Sequence, residues 1–275
     1  MNVETEVILT QKDAEEVIMD EALLSVYSDF FAKYASYMLG CGATCIRISK
    51  NLSRMGQAVG IHVDMTILSH HVTAVCTDPD TGLYCQHTKR IAPTGISFEI
   101  NTRLSELSWK VAEHKVTMDE AQAIFYRIIK KRPMPDMRIL LLVVMANASF
   151  CYLFGGDTGA MFIVALATLI GYALRIFLLS RHWDHKLVWL LCSFVSALTA
   201  AGLIYLPVTS TPDWAIAASV LYLIPGIPYI NAISDCLDGH YLCSIGRFVN
   251  AMLLTVCIGI GLTAGLVLAG ARIIM

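Results

Sequence analysis

Five long apolar segments, almost free of charged residues, fill the second half of this chain. A helix of about 20 apolar residues spans the roughly 30 Å hydrocarbon core of a bilayer, where unpaired backbone groups find no water. The sequence therefore predicts five transmembrane helices joined by short loops. Their predicted ranges are 139–154, 158–180, 187–205, 214–234 and 248–270.

Composition and charge divide the chain into two parts. The chain is 56% hydrophobic and 15% charged, whereas soluble domains are about 45–50% apolar and about 25% charged. Residues 1–136 contain 14 of the 20 Lys and Arg and 17 of the 22 Asp and Glu. We predict an α+β cytoplasmic domain at 1–136, followed by an all-α membrane bundle of five transmembrane helices at 137–275. The net charge of -2 argues against a nucleic-acid partner.

Hydrophobic periodicity predicts the secondary structure of the first part. Apolar residues recur at helical spacing over 23–38 and 45–59, which indicates two packed helices. Thr117 and Glu120 have the spacing of a capping box and mark the start of another helix. Between residues 62 and 100 the period of the apolar residues shifts towards two, with turn residues between the apolar runs, so we expect three or four strands. The apolar runs assigned to strands are 63–67, 72–76 and 96–100.

The fourth predicted span is interrupted near its centre by Pro225, Gly226 and Pro228. Proline has no N–H and clashes with the preceding helical turn, so the helix breaks. Freed backbone groups persist in a membrane only where they are buried in protein or line a polar cavity, and such discontinuous helices are typical of transporters. We predict that freed amides here bind a carboxylate and freed carbonyls an ammonium or a cation. The alternative is a kink that only lets helices pack.

Four polar residues near the predicted spans are candidates for function. Asn231 and Asp235 are four residues apart, hence on one helical face leading away from the break, and we predict that they lie on the substrate or proton path. The alternative places Asp235 simply at the membrane interface. Arg175 lies inside the second span, where it either snorkels to the interface or binds an anionic substrate. Arg247 precedes the fifth span and could form an ion pair with Asp235 or Asp238.

Positive charge predicts the orientation, because loops rich in Lys and Arg tend to stay in the cytoplasm. The loops at 155–157 and 207–213 contain neither residue, whereas the other connections do. The N-terminus is therefore predicted inside and the C-terminus outside, with Arg272 as the one exception. The cytoplasmic positive charges are Lys130, Lys131, Arg132, Arg138, Arg181, Lys186 and Arg247.

The sequence contains few patterns typical of catalytic or metal-binding sites. Nine cysteines are scattered over both parts without CxxC pairs, which indicates reduced thiols. A hydrolase site could be assembled from Cys41, Asp64, His70 and His71, but zinc-binding spacing and a nucleophile turn are both missing. We predict no catalytic residue, no metal and no cofactor.

Two motifs resemble the bacterial threonine/serine exporters and their relatives, the two-subunit succinate exporters. In the first part the resemblance rests on Gly42, Ala43 and Arg47, although Ser49 stands where the family often has Glu. In the membrane part it rests on a longer motif that is the more specific of the two. That motif comprises Pro225, Gly226, Pro228, Asn231, Ala232, Ile233, Asp235, Gly239 and Arg247.

The resemblance implies an inner-membrane exporter of small carboxylate-bearing metabolites, either threonine and serine or a dicarboxylate such as succinate, driven by protons. It also implies a partner, a small multi-span membrane subunit, because family members have either about ten spans in one chain or a split form like this one. Closely spaced glycines in the fifth span would let a partner or a second copy approach. They are Gly259, Gly261, Gly265 and Gly270. A membrane-anchored hydrolase-like enzyme and a ligand sensor that uses the N-terminal domain remain as alternatives.

Overall fold

The computed structural model describes residues 20–68, 70–130, 135–203 and 208–270. The chain forms two compact units, one ending at Lys130 and the other beginning at Lys131. Three features of the sequence prediction lie outside the described residues. These are Lys131 and Arg132 in the basic hinge, the end of the third predicted span, and Arg272. The predicted domains, 1–136 and 137–275, and the orientation of the termini stay predictions.

The N-terminal unit contains four helices and a three-stranded antiparallel sheet within the described residues. The elements are α1 (Glu21–Gly40), α2 (Cys45–Ala58), β1 (His62–Leu68), β2 (His71–Thr77), β3 (Tyr84–Arg90), α3 (Phe98–Ala112) and α4 (Met118–Ile129). The two predicted helices are confirmed as α1 and α2, and two of the predicted strands as β1 and β2. The strands follow each other in the sheet in chain order, β1-β2-β3.

Aromatic side chains from α1 and α4 form the centre of this unit's core. Phe31, Tyr34 and Phe125 are fully buried, and the rings of Phe30 and Phe125 meet edge to face with their centroids 5.6 Å apart. The capping box at Thr117 is confirmed, since its hydroxyl and the Glu120 carboxylate satisfy each other's backbone amides. Alternate residues of β2 are buried, which places one face of the sheet on the core.

The predicted strand at 96–100 is wrong, because α3 begins there at Phe98. Gly95 has a φ of +71°, and the Ser97 hydroxyl accepts a hydrogen bond from the Ile100 amide at 3.4 Å, so this serine caps a helix. The apolar residues that suggested a strand are partly solvent-facing, since Ile96 and Phe98 are exposed. The third strand is instead β3, whose sequence has no apolar alternation.

The second unit is all-helical in its described residues. Four of its helices are long and apolar enough to cross a membrane. A further pair, residues 212–223 and 226–237, is bent by 61° and makes a fifth span if it is counted as one. The elements are α5 (Asp136–Leu153), α6 (Thr158–Ser180), α7 (His185–Leu203), α8 (Pro212–Ala218), a 3-10 turn (Leu221–Leu223), α9 (Gly226–Leu237) and α10 (Tyr241–Leu268).

Glycines of α10 bring it against α7 of the same chain. A Cβ added to Gly261 would lie 2.0 Å from the Ser193 hydroxyl oxygen and 2.3 Å from the Leu190 carbonyl oxygen. Gly265 is also in close contact with α7, whereas a Cβ at Gly259 would meet nothing within 4 Å. The expectation that these glycines all face a partner is therefore wrong for Gly261 and Gly265, which serve internal packing.

Asp157 joins the loop before α6 to the segment before α8. Its carboxylate accepts hydrogen bonds from the Ala160 and Ser210 amides, both at 2.7 Å, and from the hydroxyls of Thr209 and Ser210. These donors, beginning with the Ala160 amide, hold the pKa of the Asp157 carboxyl well below its usual range. The ionised carboxylate thus tethers two loops at one end of the helices.

We expect Gly261→Ala to destabilise the protein, because the new methyl group overlaps atoms of α7. Overpacking of this kind costs about 1–3 kcal/mol, so the thermal unfolding temperature of the detergent-solubilised protein should fall. Gly259→Ala is the matched control on the same helix and should leave that temperature unchanged or slightly raised. Equal effects of the two substitutions would contradict the assigned packing.

We expect the stabilising effect of Asp157 to depend on pH. Because the folded-state pKa is lowered, the stabilisation is fully present above the unfolded pKa of about 3.9. It is lost as the pH falls below that value through the folded-state pKa. Thermal unfolding of wild type and Asp157→Asn should therefore differ most near neutral pH and converge in acid. Asp213→Asn, at an exposed position, is the control, and a pH-independent difference for Asp157→Asn would refute this assignment.

Candidate functional site

The break in the fourth span is built by its two prolines. A residue that precedes proline is disfavoured in the helical region, and Ile224 is extended, with φ -60° and ψ 124°. Pro225 stands at the start of α9, whose first helical residue is Gly226. Pro228 lies in the first turn of α9, where the missing N–H removes no helical hydrogen bond. The predicted interruption is confirmed as a 61° bend.

Side chains from neighbouring helices bind two carbonyl groups freed by the break. The Asn147 amide of α5 donates to the Ala218 carbonyl at 3.0 Å and to the Thr168 hydroxyl at 2.6 Å. The indole N–H of Trp189, in α7, donates to the Leu223 carbonyl at 2.9 Å. An unsatisfied backbone group in hydrocarbon costs several kcal/mol, so both contacts stabilise the broken conformation. Neither of these two contacts was predicted from the sequence.

The first turn of α9 offers fewer free amides than the sequence suggests. The Gly226 amide donates to the Ile224 carbonyl at 2.8 Å, and the Tyr229 amide donates to the Pro225 carbonyl at 3.3 Å. Pro228 has no amide hydrogen. Ile227 therefore provides the one remaining donor of this turn, and a bound carboxylate would need further donors from side chains.

Arg175 lies near the break and is surrounded by aromatic rings. Its guanidinium carbon is 4.9 Å from the ring centroids of both Tyr172 and Trp189. Among the described residues, its buried Nε has no hydrogen-bond partner and no carboxylate forms an ion pair with it. Trp189 is the residue whose indole N–H binds the Leu223 carbonyl. One aromatic side chain therefore connects the charge to the break.

A cavity of about 380 Å³ lies on the α5 side of the break. Ligand pockets in proteins have volumes of about 300–1,000 Å³ and combine an apolar lining with a few polar groups. Asn147 and Tyr222 are the polar residues of its lining, and Ile224 and Phe150 belong to the apolar part. The Tyr222 hydroxyl lies 3.0 Å from the Ser196 hydroxyl.

At the other end of α9, Asp235 forms an ion pair with Arg247. The carboxylate and guanidinium are 3.0 Å apart, and the Asp235 side chain is fully buried. Arg247 lies inside α10, in its second turn, rather than in the loop where the sequence placed it. The Ser244 hydroxyl also donates to the Ala232 carbonyl at 2.7 Å, which holds the two helices together. Asn231 is half-buried one turn before Asp235.

The predicted membrane residues therefore fall into two places. Asp235 is nine positions after Gly226 along α9, which corresponds to about 13.5 Å at 1.5 Å per residue. Arg175, Pro225 and Gly226 belong to the break, and Asp235 and Arg247 form the second place, with Asn231 between the two. Their roles in binding stay predictions.

The motif of the N-terminal unit forms a turn and the start of a helix. Gly42 has a φ of +84°, a conformation that favours glycine, and Ala43 is buried. Arg47 projects from α2 and donates to the Asn101 amide oxygen at 3.4 Å.

Among the described residues, no hydrogen bond or ion pair joins the side chains of Cys41, Asp64, His70 and His71. Asp64 forms an ion pair with His62 at 3.3 Å, and His70 and His71 are exposed. Cys41 is buried near the Thr94 hydroxyl, and burial raises the pKa of its thiol, which disfavours the nucleophilic thiolate.

We expect Asp235 and Arg247 to show strong energetic coupling. Asp235→Asn and Arg247→Gln each disrupt a buried pair, and removing one partner of such a pair costs about 3–5 kcal/mol. The double variant should lose less stability than the sum of the single variants, with a coupling of about 0.5–3 kcal/mol in unfolding measurements. Additive losses would show that the two charges do not stabilise each other.

Comparison with known proteins agrees with the resemblance seen in the sequence. The model of the threonine/serine exporter family matches residues 29–269. A protein of Klebsiella aerogenes named "Probable succinate transporter subunit YjjP" is 28% identical over 246 residues, which cover 86% of this chain and 92% of that protein. Its namesake in Escherichia coli K12 is 29% identical over 244 residues, with the same two coverages. No solved structure matches the chain. With its long apolar helices and a match over most of its length, this chain belongs to the threonine/serine exporter family of membrane proteins.

Proposed function

We propose that this chain is the larger subunit of a bacterial inner-membrane exporter of small carboxylate-bearing metabolites. The substrates are threonine and serine or a dicarboxylate such as succinate, and a proton gradient drives their export. The N-terminus is cytoplasmic and the C-terminus lies outside. Family membership and two relatives named as succinate transporter subunits support this function.

The surroundings of Arg175 are the observation that most favours a carboxylate substrate. A charged residue costs about 2.5–3.5 kcal/mol at the centre of a membrane helix. Here the guanidinium contacts the faces of Tyr172 and Trp189 and forms no ion pair with a described acid. Because a guanidinium binds a carboxylate with two parallel hydrogen bonds, Arg175 is the group that binds the substrate carboxylate. The rings of Tyr172 and Trp189 are its partners when no substrate is bound.

The broken span supplies the other contacts for the substrate. Tyr222 and Asn147 line the cavity beside the break, and the centroids of the Tyr172 and Tyr222 rings are 5.9 Å apart. The aromatic cluster therefore extends from Arg175 to the cavity. In this proposal the polar groups of the cavity and the Ile227 amide bind the remaining oxygens of the substrate.

The buried pair formed by Asp235 and Arg247 is suited to coupling transport to protons. Asp235 is fully buried against Arg247, and a buried carboxylate that exchanges a cationic partner for a proton changes the interaction between its two helices. In this proposal protonation of Asp235 releases Arg247, and the rearrangement of α9 and α10 is transmitted along α9 to the break. Asn231 lies on this path.

A partner subunit is part of the proposal because the chain has few spans. Many transporters consist of two related halves that meet around the substrate site. The chain has four long apolar helices in its described residues, or five spans if the bent pair is one. The curated relatives are named as subunits. We therefore propose a small multi-span membrane subunit as the other half.

Transport in inside-out vesicles tests this function. Vesicles that contain this chain and its small subunit should accumulate labelled succinate or labelled threonine when a proton gradient is imposed. Vesicles with this chain alone should not. Transport of either compound by this chain alone would refute the subunit proposal, and transport of neither by the pair would refute the substrate class.

Substitutions at Arg175 test its role in the same assay. A hydrogen bond to a charged group contributes about 1.5–3 kcal/mol, so Arg175→Gln should lower uptake at limiting substrate by roughly tenfold or more. Arg175→Lys retains the charge and should retain part of the activity. Arg181→Gln is the matched control, since Arg181 is exposed just beyond α6. Equal uptake by Arg175→Gln and Arg181→Gln would exclude Arg175 from substrate binding.

A further inference from the structure

A basic groove separates α2 from α3 in the N-terminal unit. Arg47, Lys50 and Arg54 recur on α2 at intervals of three and four residues, so all three point to the same side of the helix. They line a cavity of about 530 Å³ together with hydroxyl and aromatic side chains of α3. The α3 residues of this lining are Thr102, Ser105 and Trp109.

Buried hydrogen bonds fix the floor of this groove. The Asn51 amide, buried between the helices, donates to the hydroxyls of Ser105 and Tyr34, both at 3.1 Å. The Tyr34 hydroxyl in turn donates to the Leu104 carbonyl at 2.7 Å. Because every member of this network has a partner, α2 and α3 are held in a defined register.

Arg54 forms one wall of the groove with Trp109. Its guanidinium carbon lies 3.6 Å from the ring centroid of Trp109, and one of its N–H groups donates to the Ser108 hydroxyl at 2.7 Å. Trp109 is 54% exposed although it is a large aromatic residue. Stacking and hydrogen bonding orient the guanidinium at the edge of the cavity before any ligand arrives.

The groove carries three positive charges and no described acid lines it. The ion pairs recorded among the described residues of this unit involve other cations, such as Lys89 with Asp29 and Arg103 with Glu99. Like charges on one helical face repel each other. An anion in the groove would relieve this repulsion and accept hydrogen bonds from two guanidinium groups, an ammonium and two hydroxyls.

We propose that this groove is a binding site for a small dianion that carries carboxylate or phosphate groups. Guanidinium forks match the oxygens of both groups, and the cavity has the volume of a small-molecule pocket. A zwitterionic amino acid fits poorly, since no described carboxylate is present to receive its ammonium group. This site lies within the N-terminal unit, and the proposal does not depend on the transport function.

Calorimetric titration of the purified full-length protein in detergent tests the proposal, with succinate, inorganic phosphate and threonine as probes. We expect a saturable signal for succinate, phosphate or both, which weakens as salt is added. Threonine should bind far more weakly at this site. Lys50→Gln and Arg47→Gln should each weaken dianion binding by roughly tenfold, as loss of a charge-assisted hydrogen bond predicts.

Lys110→Gln is the matched control for these variants. Lys110 is exposed on α3 but lines a different groove, so this substitution removes the same charge without touching the site. The dianion affinity of this variant should stay within about twofold of wild type, because salt screens the charge of an exposed side chain that lies outside the groove. Unchanged unfolding temperatures would confirm that the variants are folded.

Each outcome of the titration decides the proposal. The proposal is supported if Lys50→Gln and Arg47→Gln weaken dianion binding. The dianion that binds more tightly then shows whether the site prefers carboxylate or phosphate. Absence of binding by both dianions overturns it. Binding that is lost in Arg175→Gln but unchanged in Lys50→Gln also overturns it, because the ligand would then occupy the membrane unit.

Discussion

Backbone hydrogen bonding in hydrocarbon is the constraint on which the membrane unit depends. A span whose first helix ends at Ala218 and whose second begins at Gly226 releases carbonyl groups that lipid cannot bind. Asn147 from α5 and Trp189 from α7 donate to two of them. The break therefore requires neighbouring helices on both sides, and its bend is a property of the packed unit rather than of the proline sequence alone.

Trp189 couples two features that the sequence presents as separate. Its N–H holds the Leu223 carbonyl and its ring lies under Arg175. A ligand that draws the guanidinium away from the ring would change the environment of the side chain that stabilises the break. The proposed substrate site and the conformation of the broken span are thus connected through one residue. This connection explains physically how binding of a carboxylate could alter the span.

Sequence reasoning identified features with strong local causes. Two prolines cannot continue the interior of one unbroken helix, and the long apolar runs and the capping box at Thr117 are equally clear signals. It failed where tertiary contacts decide the outcome. The polar strand β3 is stabilised by pairing with β2, and the Ile96–Ile100 alternation was overridden by the cap at Ser97. In the sequence, Trp189 is one more apolar residue of a predicted span.

Three arrangements of arginine in this chain imply different functions. Arg247 is paired with a buried carboxylate, and its removal should cost stability, because a buried charge loses its partner. Arg175 has ring faces as partners, which are weaker and can be exchanged for a carboxylate. Arg47 and Arg54 line a groove in which no described residue is an acid, so a ligand can supply the missing negative charge. Stability measurements and binding measurements should therefore separate the first arginine from the other two arrangements.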